Sequence, residues 1–121
     1  MKNSEKQSIN VKCQKDPAQN LIYLQAIAKL GWITPTLIQE KAIPFILDEK
    51  DVLLRARTGS GKTAAFTIPI IQRILNLKNS ADEQKTIALI LAPSKELCHQ
   101  TKKVIDDLTT KCSKIVKCLD L

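Results

Sequence analysis

The residues best equipped for chemistry lie in one stretch, "ARTGSGKT", Ala56 to Thr63. Gly59 and Gly61 allow backbone angles that side chains forbid, so successive N–H groups can turn inward around an anion. Lys62 adds a full positive charge, worth about 4 kcal/mol at about 4 Å and an effective dielectric of roughly 20, before desolvation. Thr63 offers a hydroxyl to a magnesium ion. The stretch fits the phosphate-binding loop pattern except at its first residue, where Ala56 replaces glycine. The chemistry implied is the binding of a nucleotide triphosphate. The bland alternative is a glycine-rich turn whose lysine faces water.

Such a loop works only between a strand and a helix. Val52 to Arg55 reads as the strand, and 61–77 as the helix despite Pro69. The helix aims its positive end at the same phosphate. Upstream, Leu21, Leu24, Ile27, Ala28 and Leu30 recur at helical spacing, with Gly31 as a stop. A second helix opens in "TPTLIQEKAIPFIL", where Thr34 can cap, Pro35 suits the first turn and Pro44 should break or kink it. "TIALILA" (Thr86 to Ala92) is apolar on both faces, as a strand inside a parallel sheet is. Leu97, Thr101, Val104, Ile105 and Leu108 mark another helix, and "KIVKCLDL" reads as a third strand. The alternation predicts an α/β fold: a partial P-loop (RecA-like) domain with a parallel sheet of about three strands flanked by helices. Residues 1–16 are expected to form a flexible polar arm, and 17–121 the domain.

At 121 residues the chain holds one domain at most. Its formal charge of +7 points to an anionic partner, and nucleotide, nucleic acid and acidic lipid all fit. Cys13, Cys98, Cys112 and Cys118 form no C-x-x-C pair, and the single His99 follows Cys98 directly. That is neither zinc spacing nor a disulfide framework, so reduced thiols in an intracellular protein are expected. No apolar run approaches the about 18 residues of a membrane span, and "MKNSEKQSIN" lacks a secretory core.

Three segments carry a family resemblance. "GWITPTLIQEKAIP" (Gly31 to Pro44) resembles the Q motif of DEAD-box RNA helicases, "ARTGSGKTAA" (Ala56 to Ala65) their motif I, and "APSKEL" (Ala92 to Leu97) their motif Ia. Order and spacing also match. The resemblance implies an ATP-dependent RNA helicase with ATP and Mg²⁺ as cofactors and RNA as partner. It makes Gln39 the reader of adenine, which suits a carboxamide that accepts from N6 and donates to N7. It gives Ala56, Arg57, Thr58, Gly59, Ser60, Gly61, Lys62 and Thr63 to the triphosphate, with Lys62 and Thr63 catalytic and Thr63 on the metal. Pro93, Ser94, Lys95 and Glu96 would touch the RNA backbone, with Lys102 and Lys103 as further candidates or solvated lysines. Trp32 holds the motif's aromatic position, as packing residue or ligand contact. The wording is most similar to the nucleolar branch acting on large ribosomal subunit precursors. That implies pre-ribosomal RNA, a nuclear or nucleolar location and no membrane partner.

The departures from the pattern have consequences. Ser94 and Lys95 replace Thr and Arg, so charge is kept and the bidentate fork lost. No aromatic stands around Gln14, where the family stacks adenine, and Tyr23 is too close. Glu49 stands where relatives often have glycine. The D-E-A-D carboxylates that would hold Mg²⁺ are not in the sequence; Asp82-Glu83 reads as a polar loop and Asp106-Asp107 as a solvated helix face. The chain is thus expected to be the first part of a RecA-like domain, inactive alone. The competing readings are a non-catalytic nucleotide- or RNA-binding product, truncated or incompletely predicted, and a small P-loop kinase. The kinase explains neither Gln39 nor "PSKEL".

Overall fold

A computed structural model describes residues 28, 31, 34–78, 86–110 and 116–121. The polar arm, most of the helix expected over Leu21 to Leu30, Trp32, and the loop holding Asp82 and Glu83 lie outside the described residues. Gly31 is described: its φ is +74° and its N–H donates to Ala28 O at 3.0 Å, the geometry of a glycine stop.

Helix α1 spans Leu37–Leu47. Its cap is Thr36, not Thr34: the Thr36 hydroxyl accepts from Gln39 N and the Gln39 carboxamide accepts from Thr36 N, a reciprocal capping box. Pro35 therefore precedes the cap. Pro44 does not end α1, which continues to Leu47. The carbonyl that loses its donor there belongs to Glu40, and both residues are exposed, so water can satisfy it. Meanwhile Ala42 and Ile43 are buried and hold the helix down.

Helix α2, Lys62–Lys78, packs against both α1 and helix α3, Lys95–Thr109. Ala64, Ile68, Ile71 and Leu75 follow a helical stripe into one core with Ile43, Ile105, Leu108 and Val116. α3 contains all of Leu97, Thr101, Val104, Ile105 and Leu108, which were expected to mark it. Ser94 caps it, accepting from Leu97 N at 3.3 Å.

Of the segments expected as strands, Val52 to Arg55, Thr86 to Ala92 and the described part of "KIVKCLDL", 116–121, form no strand among the described residues. Ile90, Val116 and Cys118 reach the core from them, while Leu53, Leu89, Leu91 and Leu119 stand exposed. A parallel sheet is stable when both of its faces are covered. Here the outward apolar face has no cover among the described residues.

Glu49 carries the one positive φ of a non-glycine among the described residues, +60°. Its carboxylate pairs with Arg73 on α2 at 3.1 Å, an exposed contact of small worth. Left-handed backbone costs a side-chain-bearing residue about 1 kcal/mol or more relative to glycine. Glu49→Gly should therefore unfold at a higher temperature than Glu49→Ala, by the equivalent of about 1 kcal/mol. Equal midpoints for the two would show that this turn is unstrained.

Candidate functional site

The site is assembled by the turn between segment 50–57 and α2. Gly59 and Gly61 take φ values of +81° and +86°, as a loop wrapping its N–H groups inward requires. The turn is closed from within: Ser60 N–H and Ser60 Oγ–H both donate to Arg57 O, at 3.2 and 2.6 Å. Lys62 opens α2, and its ammonium folds back to donate to Ala56 O at 2.5 Å. The cation is thus held across the loop by a neutral carbonyl, which an anionic phosphate oxygen outbids. Thr63 follows, half-buried, with its carbonyl accepting from Thr67 Oγ1 at 2.7 Å. Its hydroxyl makes no hydrogen bond among the described residues.

Gln39, only 7% exposed, joins α1 to this loop. Its Nε2 donates to Gly61 O at 3.2 Å, a carbonyl that also accepts from Ala65 N at 3.1 Å. Its Oε1 accepts from Thr36 N at 3.0 Å. A carboxamide has two donor hydrogens and two acceptor lone pairs, so one of each remains for a base edge. The fit is tight. A Cβ built on Gly61 would lie 2.5 Å from Gln39 Nε2 and 3.0 Å from Thr36 Oγ1. Thr36 was missed as a site residue, although the T-x-x-Q spacing that marks a capping box was legible.

These residues suit a bound nucleotide. Positive-φ glycines, an inward lysine and a hydroxyl at a helix start are the donors that a polyphosphate needs. Among the described residues of the loop, Thr63 Oγ1 is the candidate ligand for magnesium. No group of three or more His, Cys, Asp or Glu side chains able to hold a metal ion occurs among the described residues.

Pro93, Ser94, Lys95 and Glu96 sit apart from the loop, at the start of α3, all exposed. Of the further cations, Lys102 is taken by Asp106 one turn along, and this hydrogen bond raises the pKa of its ammonium. Lys103 is exposed and makes no ion pair among the described residues. Asp106 and Asp107 are exposed, as a solvated helix face should be. Sequence reasoning did not single out His99, whose Nδ1 meets Asp120 Oδ2 at 2.8 Å. Between these groups burial pushes the Cys118 thiol up, and Asp106 adds to the shift.

The family model described as DEAD/DEAH box helicase matches residues 36–120. The chain belongs to this helicase family. A relative named ATP-dependent RNA helicase dbp9, from Botryotinia fuckeliana (strain B05.10), is 48% identical over 98 residues, covering 81% of this chain and 16% of the relative. ATP-dependent RNA helicase DBP9 of Kluyveromyces lactis is 48% identical over 100 residues, covering 80% and 17%. The crystal structure of a hypothetical ATP-dependent RNA helicase from Sulfolobus tokodaii superposes with a TM-score of 0.62 at 37% identity, over 75% of this chain and 24% of that one. The chain therefore spans about a sixth of its curated relatives' length, 16% for the first of them. Within the DEAD/DEAH box family frame, the matched region contains the phosphate loop, Gln39 and the start of α3.

Proposed function

We propose that the chain is the ATP-binding portion of an ATP-dependent RNA helicase that acts in ribosomal RNA processing and ribosome assembly. The observation that carries this reading is the Gln39 bridge. One carboxamide contacts the phosphate loop and keeps a donor and an acceptor for adenine, so base identity and loop shape depend on one side chain. In this reading residues 17–121 belong to a RecA-like domain whose segments Val52 to Arg55, Thr86 to Ala92 and "KIVKCLDL" pair into a parallel sheet once its outer face is covered. Residues 1–16 form a polar arm. Nuclear or nucleolar location and a pre-ribosomal RNA partner follow from the family resemblance of the motifs.

Each residue has a definite task. Backbone N–H groups of the loop, apart from that of Ser60, which closes the turn on Arg57 O, hold the phosphates. Lys62 leaves Ala56 O and turns to the outer phosphates, where charge develops in phosphoryl transfer. Thr63 Oγ1 would hold magnesium, which would supply charge neutralisation to the phosphates when bound. Pro93 to Glu96 hold an RNA phosphate, with Lys95 as a point charge.

The test is base selectivity of the full-length protein. Gln39→Ala should weaken ATP binding by about 1–3 kcal/mol and narrow the preference over GTP. Titration of both nucleotides against wild type and variant measures it. An unchanged ATP/GTP ratio would mean that Gln39 only packs.

A further inference from the structure

The His99–Asp120 pair is unexplained by nucleotide binding, and its surroundings indicate a use. His99 stands one helical turn beyond Lys95, so the two side chains share one face of α3. The His99 side chain is 67% exposed, yet its Nδ1 is fixed against Asp120 at 2.8 Å. Asp120 is itself well placed. In segment 116–121, Val116 is buried and Cys118 half-buried in the core, while Lys117 and Leu119 point to solvent. Val116 and Cys118 thus face the core that Ile105 and Leu108 of α3 share, and Asp120, the next alternate residue, is exposed with its side chain turned to His99. The next cation on this face, Lys102, is already answered by Asp106. Burial raises the pKa of the Cys118 thiol, and Asp106 adds to the shift, so it adds no competing anion.

We propose that His99 is a second RNA phosphate contact, one turn past Lys95, and that Asp120 is the positioning residue that orients its ring. This rests on the reading that the start of α3 meets RNA. In the imidazolium both ring nitrogens donate, Nδ1 to Asp120 and Nε2 outward to a phosphate oxygen. Fixing Nδ1 removes the ring-flip freedom that an exposed histidine would otherwise lose on binding. The track is short: it runs from Lys95 to His99 and stops at the self-paired Lys102.

The experiment is a double-mutant cycle on the full-length protein, read as affinity for a single-stranded homopolymer RNA against salt. His99→Gln should weaken binding about fivefold and lower the salt slope by roughly 0.7, one single-strand phosphate contact. Asp120→Ala should weaken binding in the wild-type background. In the His99→Gln background it should be neutral or strengthen binding, because the carboxylate then only repels RNA. Weakening in both backgrounds would mean a merely structural strap, and strengthening in both mere repulsion; either overturns the proposal. His99→Lys, which keeps a cation beside Asp120, should retain affinity, and it serves if His99→Gln does not fold. Lys95→Ala separates the two levels. If it leaves affinity and slope unchanged, the start of α3 does not meet RNA. If it weakens binding while His99→Gln does not, only the present inference fails.

Discussion

Lys62→Ala in the full-length protein is expected to cut RNA-stimulated phosphate release by roughly a hundredfold or more, the usual loss when one aimed donor to developing charge is removed. Before nucleotide arrives, the ammonium is tethered to Ala56 O at 2.5 Å. It is therefore preplaced across the loop rather than swinging in from solvent, and little ordering remains when phosphate replaces the carbonyl. The loop does not need Lys62 for its shape. Ser60 closes the turn on Arg57 O, and Gln39 and Ala65 hold Gly61 O. The variant should accordingly stay folded and still bind ATP, with a larger loss in turnover than in affinity. Lys62→Arg should not restore turnover, because the longer planar guanidinium presents a fork where a compact point charge fits. Phosphate release with and without RNA, beside an ATP titration, measures both. Turnover within about tenfold of wild type would place the transition-state charge elsewhere.

How much of this was legible in the sequence depends on the range of each interaction. The loop could be read because its cause is local. Gly59, Gly61 and Lys62 act through backbone angles and a helix start, all within a few residues, and the structure puts both glycines at positive φ. The cap of α3 has an equally local cause, but Ser94 was read only as an RNA contact and its capping role was missed. The cap of α1 was misread because Thr34 and Thr36 are chemically equal. The spacing does separate them, since only Thr36 has a glutamine three residues on, and the reciprocal bond to Gln39 confirms that choice. Pro44 misled because the rule against internal proline assumes a buried or unsatisfied carbonyl, and here the carbonyl side faces water. The Gln39–Gly61 and His99–Asp120 contacts join residues far apart in the chain, and no spacing rule reveals them. Nor does composition show which of two adjacent lysines has a partner: Lys102 reaches Asp106 at helical spacing, and Lys103 makes no ion pair among the described residues. The strands illustrate the reverse case. Their apolar pattern is plain, but pairing depends on cover that the pattern cannot supply, and Leu89 and Leu91 remain exposed.

The two loop glycines should differ sharply when each is replaced by alanine. Both have positive φ, so either Cβ costs about 1–2 kcal/mol of backbone strain. At Gly59 nothing lies within 4 Å of the added atom, and in the protein by itself strain is the whole effect. At Gly61 the Cβ would lie 2.5 Å from Gln39 Nε2 and 3.2 Å from Thr36 Cγ2. Gln39 has a flexible end in principle, but this end is anchored on Gly61 O and on Thr36 N. To make room it must release both bonds, at about 1 kcal/mol each, and the box that starts α1 opens with them. Gly61→Ala should therefore lower the stability of the nucleotide-free protein by about 2 kcal/mol more than Gly59→Ala, and weaken ATP binding correspondingly. The cause can be isolated. In a Gln39→Ala background the amide at 2.5 Å is gone and only the Thr36 contacts at 3.0 and 3.2 Å remain, so the excess cost of Gly61→Ala over Gly59→Ala should shrink, while ATP/GTP selectivity stays lost. Denaturant midpoints of the four variants, with ATP and GTP titrations beside them, decide it. If Gly61→Ala and Gly59→Ala prove equally costly, the carboxamide moves aside freely, and Gln39 cannot be what ties adenine recognition to the shape of the phosphate loop.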